Sequence, residues 1–119
     1  PDQEKLQAEV TEILEKECAA AKAADVRTWN RYSDEFHLVF YRYCNNSRLA
    51  ESAERLRSGI SIFSNQYCRE TVIQTRIDEE HLAIFQAYKD GDIEKAVQMM
   101  KTHLNDSLNY ALRFLPETF

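Results

Sequence analysis

The chain has 119 residues, a formal net charge of −5 and only two Gly and two Pro, so tight turns are few and a strand-rich fold is excluded. It carries no Lys/Arg stripe of the kind that grips a phosphate backbone, no apolar run near the ~18 residues of a membrane span, and no signal-peptide pattern. Cys18, Cys44 and Cys68 are odd in number and far apart, which points to neither a disulfide framework nor a zinc ribbon and fits a reducing, cytoplasmic setting.

In chain order, a first helix is predicted from Gln3 to Lys22, where Leu6, Val10, Ile13, Leu14 and Cys18 recur at three- and four-residue steps. Asp25 is read as the N-cap of a second helix reaching Cys44, and Asn45, Asn46 and Ser47 end it, because Asn tolerates the left-handed conformation. A third helix is predicted over Arg48–Gln66, with Leu49, Ala53, Leu56, Ile60 and Phe63 as its apolar face, and a fourth over Val72–Lys89. Asp90-Gly91-Asp92 is a stop and restart, Gly91 turning the chain and Asp92 capping a fifth helix that carries Ile93, Ala96, Met99, Met100, Leu104, Leu108 and Leu112 toward Pro116. The expected fold is all-α, an antiparallel bundle of about five helices forming one domain over residues 1–119. Because the chain opens on Pro1 and runs at once into a helical pattern, it is expected to be a domain of a longer protein.

The three histidines stand on three different helices, each on an apolar stripe. His37 shares a face with Ser33, Phe36, Phe40, Tyr41 and Cys44; His81 with Ile84, Phe85 and Tyr88; His103 with Ala96, Met99, Met100 and Ser107. Each ring alone reads as a core histidine satisfied by a hydrogen bond, but three inward imidazoles multiply the cost of polar burial. His81 lies ten residues before Gly91 and His103 twelve after it, arms of about 15 and 18 Å that come out nearly level if the two helices fold back on each other. A third ring from the second helix would complete a three-nitrogen site suited to Zn²⁺ first, and to Ni²⁺ or Mn²⁺. An oxygen ligand is expected from Asp34, three residues before His37, with Ser33, four before, as the alternative.

The stretch Glu79-Glu80-His81-Leu82-Ala83-Ile84-Phe85-Gln86-Ala87, followed by Asp90-Gly91-Asp92, Ala96, Met100 and His103-Leu104, resembles the C-terminal effector-binding (FCD) domain of GntR-type transcription regulators of the FadR subfamily. Upstream, Phe36-His37, Asn46 and Leu49 match its Phe-His…Asn…Leu segment. The resemblance covers about Asp25 to Leu112. It implies a helical bundle that binds a small carboxylate effector over a divalent metal, with metal ligands matching His37, His81 and His103 plus an Asp or Asn four residues before the first. Here that position is Ser33, with Asp34 displaced by one. It also implies a homodimeric regulator whose DNA contact is made by an N-terminal winged helix-turn-helix that these residues do not include.

The expected function is therefore a binding switch and not an enzyme, with no catalytic residue assigned. Arg57 and Arg76 are candidates to reach the effector carboxylate; exposed helical arginines are the alternative. The aromatic-rich run Phe36–Tyr43 is expected to pack between helices or to serve a dimer contact. Two competing readings stand. One is a metal-free helical dimerisation module. The other is a di-iron carboxylate enzyme, which Asp34-x-x-His37 and Asp78-x-x-His81 half imitate while no Glu is seen on a core stripe of the other helices and His103 is left over.

Overall fold

The computed structural model describes residues 2–67 and 69–113, with residues 59–67 described by their backbone alone. Among the described residues there are five helices and no strand: α1 (Asp2–Lys22), α2 (Val26–Arg42), α3 (Ser47–Tyr67), α4 (Thr71–Lys89) and α5 (Ile93–Leu112). The fold is the expected all-α bundle. Helix α2 stops at Arg42, short of the predicted Cys44, because Asn45 takes a left-handed φ of 58°. Cys68 and Pro116 lie outside the described residues, as do the side chains of Ile60 and Phe63.

Two short turns, built alike, set the geometry. After α1, Ala24 adopts φ 56°, Asp25 N–H donates to the Ala20 carbonyl at 3.0 Å, and the Asp25 carboxylate accepts from Thr28 N–H at 3.2 Å to start α2. After α4, Gly91 adopts φ 80°, Asp92 N–H donates to the Ala87 carbonyl at 3.0 Å, and the Asp92 carboxylate accepts from Lys95 N–H at 3.1 Å to start α5. Each turn ends one helix in a left-handed residue and caps the next with an Asp, so α1–α2 and α4–α5 fold back as hairpins.

Helix α1 packs against both α2 and α4, α4 carries α5, and α3 lies along α2. Leu6, Val10, Ile13 and Leu14 of α1 meet Phe36 and Val39 of α2 and Ile84 and Phe85 of α4 in the main core. A second cluster joins Ala20, Ala21, Trp29 and Ile77. Burying these side chains is the main favourable term, about 1.5–3 kcal/mol for each large one.

The outer helices depart from the sequence reading. On α3, Ala53 is buried but Leu49 and Leu56 are exposed. On α5, Ala96 and His103 are buried and Met99 and Met100 lean on the main core, whereas Leu104, Leu108 and Leu112 are exposed along with Ile93 and Val97. The reason is partner geometry: α5 rests chiefly on α4 and only touches α3, so it buries one narrow stripe and carries a second apolar stripe outward. Tyr41 and Cys44, expected on the inward face of α2, are exposed as well. Among the described residues no helix is long and apolar enough to cross a membrane.

Candidate metal centre

The three histidines meet. His37 from α2, His81 from α4 and His103 from α5 are all buried, and one ring nitrogen of each lies within 4.8 Å of the other two. The Nε2 atoms of His81 and His103 are 3.0 Å apart, close to the roughly 3.3 Å between two nitrogens on a tetrahedral zinc at 2.0–2.1 Å. Phe36 sets the ring planes: it stacks on His81 at 4.1 Å and meets His37 edge-on at 5.4 Å. The α4–α5 hairpin brings His81 and His103 level, and α1, packed on both α2 and α4, brings His37 to them.

Carboxylates stand behind two of the rings. Nδ1 of His81 lies 2.9 and 3.1 Å from the two Glu17 oxygens, and Nδ1 of His103 lies 2.7 Å from Glu80. Where both acids accept an Nδ1–H, the two Nε2 atoms face each other as bare lone pairs, an arrangement relieved by a positive charge between them. The donor set of three neutral imidazoles with carboxylates behind them fits a borderline-soft divalent ion. Burial holds all three imidazoles below the ordinary histidine range, with His81 brought down to about 3, so each is neutral and free to ligate.

Glu17 is the residue that sequence reasoning missed. It is 0% exposed, on the α1 stripe that also carries Val10, Ile13, Leu14 and Ala21. The signal was present: position 17 continues that three- and four-residue spacing, and an acid there is anomalous. The expectation that no Glu occupies a core stripe of the other helices is thus corrected. The Ser33 hydroxyl and the Asp78 carboxyl stand beside Glu17, and Trp29 Nε1–H donates to Asp78 at 2.8 Å. Burial pushes the Glu17 carboxyl up to about 7 and, with Glu17 beside it, that of Asp78 up to about 8, so the pair retains a proton at neutral pH. Burial likewise pushes the neighbouring Cys18 thiol up to about 11.

Asp34 pairs with Arg57, whose Nη2 lies 2.7 Å from its Oδ1, and among the described residues the group of converging ligand atoms does not include it. Ser33 is buried and stands beside Glu17. Arg57 stands close enough that its charge disfavours protonation of all three histidines, and its Nε is buried with no hydrogen-bond partner among the described residues. Arg57 and Asp34 also line a groove of about 280 Å³ between α2 and α3. Arg76 is half-exposed, 3.9 Å from Glu80 and 6.0 Å from the Tyr110 ring, so it reaches the centre only through Glu80 and His103. The half-site resemblance to di-iron bundles is not carried into space: among the described residues the converging ligand atoms are the three imidazoles, while Glu17 and Glu80 sit behind the rings.

The sequence pattern of one protein family, described as the FCD domain, matches residues 2–106. No curated protein and no solved structure matches the chain.

Proposed function

Because this chain belongs to the FCD domain family, we propose that it is the effector-sensing part of a homodimeric, cytoplasmic bacterial transcription regulator of the GntR type and is not an enzyme. In this reading His37, His81 and His103 hold one divalent ion, Zn²⁺ first and Ni²⁺ or Mn²⁺ next, and a small carboxylate effector binds over it. The single observation that supports this best is the convergence of three buried neutral imidazoles, two of them backed by carboxylates. Contact with DNA falls to a winged-helix domain outside these residues.

The ion would supply a fixed positive charge and an open coordination position for a carboxylate. The chain's own residues do the rest. Arg57 offers a buried Nε–H in want of an acceptor, and Asp34 holds the guanidinium in place. With Asp34 paired to Arg57 and Ser33 beside Glu17, the oxygen ligand in this reading comes from the effector. The effector would bridge α3, which carries Arg57, to the histidines of α2, α4 and α5, and it shifts the bundle only by its differential affinity for two helix arrangements. The outward apolar stripe of α5 (Ile93, Val97, Leu104, Leu108 and Leu112) supports a partner surface and hence the dimer.

Calorimetric titration of the Zn²⁺-loaded chain with a panel of small mono-, di- and hydroxycarboxylates tests the reading. At least one should bind with a one-to-one ratio, and Arg57→Leu should weaken it by tenfold or more while Zn²⁺ affinity stays within threefold. A panel without a single binder, or equal binding by the Leu variant, would count against it.

A further inference from the structure

We infer that Glu17 of α1 is a positioning residue for the metal centre: its carboxylate accepts the Nδ1–H of His81 and so presents the Nε2 lone pair of that ring to the ion. The inference rests on the reading of the three histidines as metal ligands and adds a residue from a fourth helix to that site.

Its warrant is the company Glu17 keeps. The carboxylate is fully buried, both oxygens lie within 3.1 Å of His81 Nδ1, and no Lys or Arg hydrogen-bonds to it among the described residues. Its other neighbours are the Ser33 hydroxyl and the carboxyl of Asp78. An acid buried beside a second acid, with no cationic partner, is costly as a purely structural device. A Gln would fill the same volume and hydrogen-bond with no charge to desolvate. A divalent ion on the far side of the imidazole removes the paradox, because the carboxylate then stabilises a ring that has given its other lone pair to a cation. Glu80 repeats the arrangement behind His103 at 2.7 Å. The two differ in setting: Glu80 is partly exposed and faces Arg76, whereas Glu17 is sealed between α1, α2 and α4. Ser33 and Asp78 stand beside the carboxylate, and Trp29 Nε1–H in turn holds Asp78 at 2.8 Å.

The test compares the wild-type chain with Glu17→Gln, Glu17→Asp and the exposed control Glu12→Gln, using Zn²⁺ as the probe in competition with a chromogenic chelator. Glu17→Gln should lower Zn²⁺ affinity by about 10–100-fold with unchanged helical circular dichroism, Glu17→Asp should recover part of the loss, and Glu12→Gln should match the wild type. In ¹⁵N spectra of the Zn²⁺-loaded protein, the His81 Nδ1 proton should lie far downfield in the wild type and move upfield in Glu17→Gln, a change that a packing role would not produce. If Glu17→Gln loses its helical signal, Glu17→Asp decides: it keeps the charge but withdraws it from the ring, and a several-fold loss supports the inference while an unchanged affinity overturns it. A wild type that binds Zn²⁺ together with a folded Glu17→Gln that binds as tightly, its Nδ1 proton unmoved, overturns this inference alone. A wild type that takes up no Zn²⁺ overturns the proposed function and this inference with it.

Discussion

Replacing Trp29 with Phe should destabilise the domain through one hydrogen bond as much as through packing. Trp29 is 1% exposed and its Nε1–H lies 2.8 Å from Asp78 Oδ1, which is itself buried at 4%. Removing the donor leaves a buried acceptor unmatched, at a cost of about 1–3 kcal/mol. Trimming the indole to a phenyl ring adds about 1–2 kcal/mol, well below the 3–5 of a full aromatic-to-Ala truncation. Together these lower the melting temperature by roughly 10–20 °C for a chain of this size. Urea denaturation followed by circular dichroism measures the loss, and Asp78→Ala makes it diagnostic. In that background the hydrogen bond is already gone, so Trp29→Phe should cost only its packing share, giving a coupling of about 1–3 kcal/mol. Equal costs in the two backgrounds, within about 0.5 kcal/mol, would refute the claim that this bond contributes to stability.

The pH profile of the metal-free protein should turn over. The histidines titrate lower in the folded state than in the unfolded one, which raises stability with pH up to about 6.5; the Glu17–Asp78 pair titrates higher, at about 7 and about 8, so the native state holds its extra protons from about pH 4.5 upward, opposing the histidines and, once these are neutral in both states, lowering stability toward pH 8. Urea midpoints at pH 5, 6.5 and 8 in the presence of chelator check this, and a midpoint that climbs from 6.5 to 8 would contradict it; Glu17→Gln combined with Asp78→Asn should flatten the decline. The two hairpin turns make opposite predictions, since both left-handed positions are open to exchange: Ala24→Gly should raise stability by about 0.5–1 kcal/mol, and Gly91→Ala should lower it by about 1–2 kcal/mol even though the space around it is empty, as differential scanning calorimetry would show.

Much of this molecule was legible in its sequence because its turns are local and its inner helices are amphipathic. Asp25, Asn45 and Asp90-Gly91-Asp92 carry their own backbone instructions, and they placed the hairpins correctly. Spacing about Gly91 also anticipated that His81 and His103 would stand level, and their Nε2 atoms do meet. What was not legible depends on which faces find a partner. Leu104, Leu108 and Leu112 have the period of a core stripe, yet α5 rests chiefly on α4 and they face outward. Leu49 and Leu56 of α3 misled in the same way. Asp34 is the chemically attractive oxygen donor beside His37, and its pairing with Arg57, 23 residues away, is one that no local pattern encodes. Glu17 lies 64 residues from the ring it supports. Its place on an apolar stripe was visible; its purpose became readable once His81 stood next to it.

The central claim concerns an ion held by three imidazoles, and metal analysis of the purified chain tests it most directly. After equilibration with Zn²⁺ and removal of the unbound ion, the wild type should retain one zinc per chain, and His81→Ala should retain none. A wild type free of metal, or a His81→Ala protein that keeps the same zinc content, would contradict the account.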